Sequence, residues 1–142
     1  MIRKLREEDI DRVMRIWLDA NVKAHDFISE KYWSGHFELV KEMLPQAEVY
    51  VYEDESKEIQ GFVGVNEDYI EGIFVHGDTR SQGIGKQLLE CAKNTRNKLG
   101  LSVYQKNRRA IKFYRREGFK IQSENLDEKT DEMEYNMVWE QI

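Results

Sequence analysis

The sequence reads as an α/β chain with a central mixed, mostly antiparallel sheet flanked by about four helices. Three observations predict this. Apolar residues recur at helical spacing as far as Leu44, then alternate at strand spacing in three short runs between Val49 and Val75. Beyond a glycine-containing loop, helical and strand patterns take turns to the end of the chain.

In order, Ile2 to Leu5 is a short strand. A helix follows over about Glu8 to Ala20, with Ile10, Val13, Met14, Trp17 and Leu18 on one face. A second helical stretch, about Glu30 to Leu44, carries Tyr32, Trp33, Phe37, Val40 and Leu44 and stops before Pro45 and the next strand. Val49 to Tyr52, Ile59 to Val65 and Tyr69 to Val75 form an antiparallel meander, separated by the charged turn EDESKE and by Asn66 to Asp68. A helix from about Ile84 to Leu99 is closed by Gly100, and Leu101 to Tyr104 is a strand. Asn107 is the expected N-cap of a helix through Arg116, and Gly118 its C-terminal cap. Phe119 to Gln122 and Glu134 to Trp139 supply two last strands.

At 142 residues, 40% hydrophobic and 35% charged, the chain fits one domain spanning 1–142. No apolar run approaches the ~20 residues that cross a bilayer. The opening MIRKLREEDI lacks the apolar core of a signal peptide, so the expected location is cytoplasmic, with no membrane partner. The single cysteine, Cys91, excludes an internal disulfide and a thiolate metal cluster; it shares a helical face with Leu88 and is expected to be buried.

The net charge of −5 conceals an asymmetry. Residues 80 to 120 hold twelve Lys or Arg against two acidic residues, a block that suits an anion. Nucleic acid is not the expected partner, because the aromatics of this block fall at core spacing and the chain as a whole is negative. Inside the block lies RSQGIGKQLLECA, residues 80 to 92. It is not a P-loop, since Gln87 follows Gly85-Lys86 where Ser or Thr would have to reach a metal ion. Nor is it a dinucleotide fingerprint, since Leu88 stands where a third glycine would be needed. What remains is a strand-loop-helix whose free amides around Gln82 to Lys86 sit at a helix N-terminus, where a phosphate is favoured. Gly83 and Gly85 let a ligand approach the backbone, and Arg80 and Lys86 add full charges.

The spacing Arg80-x-x-Gly83-x-Gly85, followed by Asn107-Arg-Arg-Ala110-Ile-Lys-Phe113-Tyr114-Arg-Arg-Glu-Gly118-Phe119, resembles the GNAT family of acyl-CoA-dependent N-acyltransferases. The first segment is similar to that family's pyrophosphate loop and the second to its asparagine-to-tyrosine helix; the order of elements also matches over essentially the whole chain. The resemblance implies acetyl-CoA as co-substrate, with no metal. It implies that Gln82, Gly83, Ile84, Gly85 and Lys86 hold the pyrophosphate. The backbone of Phe74 and Val75 would pair with the pantetheine arm like another strand, and Asn107 would contact that arm. The amide of Val75 would then polarise the thioester carbonyl.

Transfer of an acyl group from a thioester to an amine needs a neutral amine, stabilisation of the oxyanion and a proton for the departing thiolate. The resemblance gives Tyr114 the role of general acid. The base is left open between Glu71, Glu67 and water. Glu71 alternates with Tyr69, Ile73 and Val75 on one strand face, where apolar neighbours would raise a carboxyl pKa. Tyr69 and Phe27 are assigned to the acceptor pocket. None of His25, His36 and His76 has metal-ligand spacing, and a surface or capping role is expected for each.

The acidic surplus of residues 1 to 71 suits a cationic amine, either a protein lysine or a small molecule. The segment Trp17 to Trp33 resembles a group of small bacterial GNAT members in which protein lysine acetylation is proposed, and this favours a lysine acceptor. The resemblance leaves monomer or homodimer open, as well as a rival function, that of a catalytically silent CoA-binding regulatory domain.

Overall fold

The computed structural model of the chain describes residues 1–77 and 82–142. Seven strands, β1 (Ile2–Lys4), β2 (Glu48–Glu53), β3 (Ile59–Asn66), β4 (Tyr69–Val75), β5 (Lys98–Tyr104), β6 (Lys120–Asp127) and β7 (Glu132–Glu140), form one sheet. Their order is β1-β2-β3-β4-β5-β7-β6. The described helices are α1 (Ile10–Ala24), α2 (Glu30–Gly35), α3 (Phe37–Met43), α4 (Ile84–Asn94) and α5 (Arg108–Arg116). Every pairing is antiparallel except that of β4 with β5, because α4 crosses over between them. This is the mixed, mostly antiparallel α/β sheet that the sequence predicts.

Alternation along the strands sends side chains to both faces, and helices cover each face. Ile84, Leu88, Leu89 and Ala92 of α4, with Tyr114 of α5, pack over Val63, Val65, Ile70, Leu99, Leu101 and Val103. On the other face, Val13, Met14, Ile16 and Trp17 of α1 and Trp33 of α2 cover Val49, Val51, Ile59 and Phe62. At the sheet's edge, Arg3 Nη1 and Nη2 fork onto both oxygens of Asp9, at 2.7 and 3.0 Å, while its Nε donates to Glu53. The guanidinium ties β1, β2 and the entry of α1 together, and holds the Asp9 carboxyl below the usual carboxylate range.

Two helices are shorter than their periodicity predicts. The single helix expected over Glu30 to Leu44 breaks at Gly35-His36, where His36 Nδ1 donates to the Tyr32 carbonyl at 2.6 Å. That carbonyl would otherwise receive the His36 backbone N–H, which turns to Trp33 O instead. The helix expected to reach Leu99 ends at Asn94, so Gly100 lies inside β5 rather than at a cap. Leu99 falls on the helical repeat of Leu88 and Ala92, yet it also begins the strand alternation Leu99, Leu101, Val103, and burial in the sheet decides between the two. Cys91, expected to be buried, is only partly so. Asn107 and Gly118 do bound α5: Asn107 Oδ1 accepts from the Ala110 N–H at 3.2 Å, and Gly118 takes φ +96°.

Candidate functional site

Strand β4 positions the site through two irregularities. The first is a bulge. Gly64 pairs with Gly72 and Val65 with Ile70, so Glu71 is an extra residue without a partner on β3. The expected alternation therefore fails across this point: Ile70, not Glu71 or Tyr69, shares the α4 face with Ile73 and Val75. Glu71 is exposed, and its Cβ lies 3.8 Å from where a Cβ on Gly64 would sit. It is thus directed to the face that Gly64 shares with Phe62, away from the apolar setting the sequence suggests.

The second irregularity is a splay. Strands β4 and β5 register only at Tyr69 and Gly100, while β4 stays paired to β3 as far as Val75 and β5 to β7 as far as Tyr104. The two strands therefore part toward their C-terminal ends. His76 N–H donates to Gln60 O at 2.8 Å, which by alternation turns the Val75 N–H the other way, into the gap. Phe74, stacked on Phe62 with centroids 5.0 Å apart, folds its ring over Gly72, where a Cβ would meet it at 2.4 Å.

At the open end of the splay, α4 presents its N-terminus. Gly83 is its N-cap with φ +78° and no side-chain cap, and the first intrahelical bond runs from the Gln87 N–H to Gly83 O. The amides of Ile84, Gly85 and Lys86 thus lack intrahelical partners. Among the described residues, a Cβ at Gly83 would meet nothing within 4 Å. At Gly85 it would stand 3.6 Å from Phe113 Cζ and 3.8 Å from Val75 Cγ2, so β4, α4 and α5 converge there. Gln82 and Lys86 are exposed. Arg80 lies outside the described residues. The donor set fits a pyrophosphate, with amides that have no intrahelical partner, a helix dipole and an exposed lysine together.

Tyr114 sits under this convergence, 8% exposed, with Phe113 and Phe119 edge-on to its ring. Its hydroxyl makes no hydrogen bond to the described residues, and burial raises its pKa well above the usual phenol value. Asn107 uses its carboxamide at both ends: Oδ1 caps α5, and Nδ2 donates to His25 Nε2 at 3.3 Å. His25 stands at the C-cap of α1, its backbone N–H donating to Asn21 O, but it is no surface residue. It stacks on Trp33 at 5.2 Å, meets Phe27 and Tyr104 edge-on, and is held by burial below the ordinary imidazole pKa. His36 closes α2 through the Tyr32 carbonyl, and His76 follows directly on β4.

Below the splay, the face of β4 to β7 that carries Tyr69 is polar. Tyr104 Oη donates to Asp127 Oδ2 at 2.6 Å, and the Glu134 carboxyl is pushed up by burial and then by Asp127. Tyr32 borders these two carboxylates. Tyr69, 36% exposed, donates to Ser102 Oγ, and its own pKa is raised by burial and by Glu71. Phe27 reaches the same rim, 5.8 Å from Tyr104 and beneath Lys106 Nζ. Sequence reasoning assigned nothing to Ser102, Tyr104, Ser123, Asn125, Glu134 and Asn136. Their signal was polar residues two apart on the last three strands, a pattern that a solvated face shares. Among the described residues no His, Cys, Asp and Glu side chains group to hold a metal, and no helix is long and apolar enough to cross a membrane.

The model of the acetyltransferase (GNAT) domain matches residues 45–121, more than half the chain and the span holding the splay, the loop and α5. The chain belongs to the GNAT acetyltransferase family. It is 34% identical over 120 residues to the peptidyl-lysine N-acetyltransferase YjaB of Salmonella typhimurium, covering 84% of this chain and 83% of the relative. To the peptidyl-lysine N-acetyltransferase YiaC of Escherichia coli it is 32% identical over 141 residues, covering 98% and 96%. The solution structure of apo YjaB from Escherichia coli superposes with a TM-score of 0.88 at 27% identity, covering 100% of this chain and 98% of that one. The family relation expected from the loop and the asparagine-to-tyrosine helix therefore holds, and the domain is an acyltransferase.

Proposed function

We propose that this domain acetylates lysine side chains of proteins or peptides, using acetyl-CoA, by direct attack of the amine on the thioester. The observation that carries the reading is the splay of β4 from β5. It lies between an anion-binding helix N-terminus and an acidic, tyrosine-lined face, so a thioester reaching through it would meet an amine from the other side. The names of the two bacterial relatives support a lysine acceptor.

The amides of Ile84 to Lys86, with Lys86 and Arg80, hold the pyrophosphate; the edges of Phe74 and Val75 pair with the pantetheine arm beside Asn107. Val75 N–H donates to the thioester carbonyl as its oxygen takes on charge. The amine nitrogen bonds to the carbonyl carbon, the C–S bond breaks, and the Tyr114 hydroxyl gives its proton to the leaving thiolate. Burial keeps that phenol protonated at neutral pH, which suits an acid. We assign Glu71, exposed at the bulge and two residues from Tyr69, to take the amine's proton through water, which restores the balance.

Mass spectrometry of lysine peptides incubated with acetyl-CoA and either the wild type or Tyr114→Phe tests this. An acetyl gain on lysine that falls sharply in the variant is expected. Coenzyme A binding with no acetyl gain on any amine would instead establish a silent CoA-binding domain.

A further inference from the structure

The Tyr69 hydroxyl is the first link of a hydrogen-bonded row that crosses four strands. It donates to Ser102 Oγ at 2.9 Å, and Ser102 Oγ donates to Asn136 Oδ1 at 2.9 Å. Asn136 Nδ2 donates to Ser123 Oγ at 2.9 Å and to Asn125 Oδ1 at 2.7 Å, and Asn125 Nδ2 donates to Glu134 Oε1 at 3.3 Å. Strand register holds the row in place: Ser102 and Ser123 both stand opposite Asn136, and Asn125 stands opposite Glu134.

The row has a direction, and Glu134 sets it. An ionised carboxylate only accepts, so Asn125 must turn its amide nitrogen toward Glu134 and its oxygen toward Asn136. Asn136 answers that oxygen with its own amide, which leaves its oxygen for Ser102. Ser102 spends its single proton there and has only lone pairs for Tyr69. The last consequence falls on Tyr69, whose one proton is committed to Ser102, so that its oxygen offers only lone pairs to whatever enters the cleft.

We infer that Glu134, acting through Asn125, Asn136 and Ser102, fixes Tyr69 as a hydrogen-bond acceptor for an N–H of the incoming amine. Tyr69 is then a specificity contact that receives a proton-bearing head group and refuses a carbonyl or carboxylate, and Glu134 is a positioning residue. The inference rests on the reading of this cleft as the acceptor site.

The test compares Tyr69→Phe, Ser102→Ala and Glu134→Gln in steady-state acetylation of a lysine peptide. Each is expected to raise the acceptor KM by up to about tenfold, the worth of one hydrogen bond, with the acetyl-CoA KM unchanged. Glu134→Gln placed on Tyr69→Phe adds nothing further, because both act through one hydroxyl. Glu132→Gln, whose carboxylate pairs with Lys106 off the row, leaves both constants unchanged. Additive effects of Tyr69→Phe and Glu134→Gln, or an unaltered acceptor KM in Glu134→Gln, overturn the inference. NMR of isotope-labelled Tyr69 Cζ reads the row without turnover. Its resonance moves in Ser102→Ala and Glu134→Gln but not in Glu132→Gln, and indifference to Glu134→Gln overturns the row itself. A resonance that moves in a protein acetylating no amine leaves the row standing and overturns its acceptor role.

Discussion

Asn107 Nδ2 lies 3.3 Å from His25 Nε2 and joins the N-cap of α5 to the segment that follows α1. An amide nitrogen only donates, so the imidazole accepts at Nε2 and is neutral in the fold, in keeping with burial as the cause of its lowered pKa. The unfolded chain therefore binds this proton before the folded one does. Stability from His25 is present above the ordinary imidazole value of about 6.5 and is lost as pH falls from there through the folded pKa. Thermal unfolding followed from pH 8 to pH 5 should show Tm declining below about 6.5, and His25→Gln should flatten the decline. An unchanged slope in that variant assigns the loss to other groups.

A lower pH window belongs to Asp9. Its carboxyl is depressed chiefly by the hydrogen bonds from Arg3, so its stabilisation is present above the unfolded carboxylate value near ~3.9 and lost below it. Asp9 is only 6% exposed, and its removal leaves Arg3 with the Glu53 carboxylate and the Lys4 carbonyl. Asp9→Asn should cost about 2–3 kcal/mol in denaturant unfolding at neutral pH. A cost under about 0.5 kcal/mol would mean that the network behaves as an exposed pair.

How far the sequence was legible depends on which signal each segment carries. Helix α5 announced itself at both ends, because Asn107 and Gly118 are there for backbone reasons that a sequence shows directly. Likewise Gly83 marks the N-cap of α4, where φ is positive. Strand β6 carried no such mark: Lys120 to Leu126 are all exposed, so no apolar alternation told where it ended. The bulge at Glu71 was also hidden, since an extra residue inside a run of strand formers leaves the composition unchanged while reversing every face assignment before it. The polar row from Tyr69 to Glu134 depends on register across four strands, which no local pattern encodes.

The two loop glycines serve different ends and should separate by measurement. Gly83 needs its left-handed backbone, so Gly83→Ala should cost about 1 kcal/mol of stability although its Cβ would meet none of the described residues. Gly85 is helical, and its Cβ would make only ordinary contact with Phe113, so Gly85→Ala should leave Tm unchanged or slightly raised. Gly83→Ala places its methyl on the side of the proposed pyrophosphate, and calorimetry should find it weaker for coenzyme A, whereas the Gly85→Ala methyl points at Phe113 and Val75 and should leave that affinity nearly unchanged. Unimpaired binding in Gly83→Ala would move the pyrophosphate away from this loop.

Tyr114→Phe separates catalysis from stability more cleanly than any other substitution. The hydroxyl makes no hydrogen bond to the described residues, so its removal leaves none of them unpaired and no cavity larger than one oxygen. The ring contacts with Phe113 and Phe119 persist in the variant. Denaturant unfolding should therefore change by less than about 1 kcal/mol, in either direction. Under the proposed chemistry kcat should fall by about 10²–10³, with coenzyme A affinity retained, because a thiolate must then leave without its acid. The pH profile adds an independent sign: with the phenol pushed up by burial, the wild type should keep the acid protonated beyond the usual tyrosine range near ~10, so no loss of rate assignable to Tyr114 is expected below it. A variant that unfolds easily while keeping its turnover would make Tyr114 a core residue and leave the thiolate's proton to solvent.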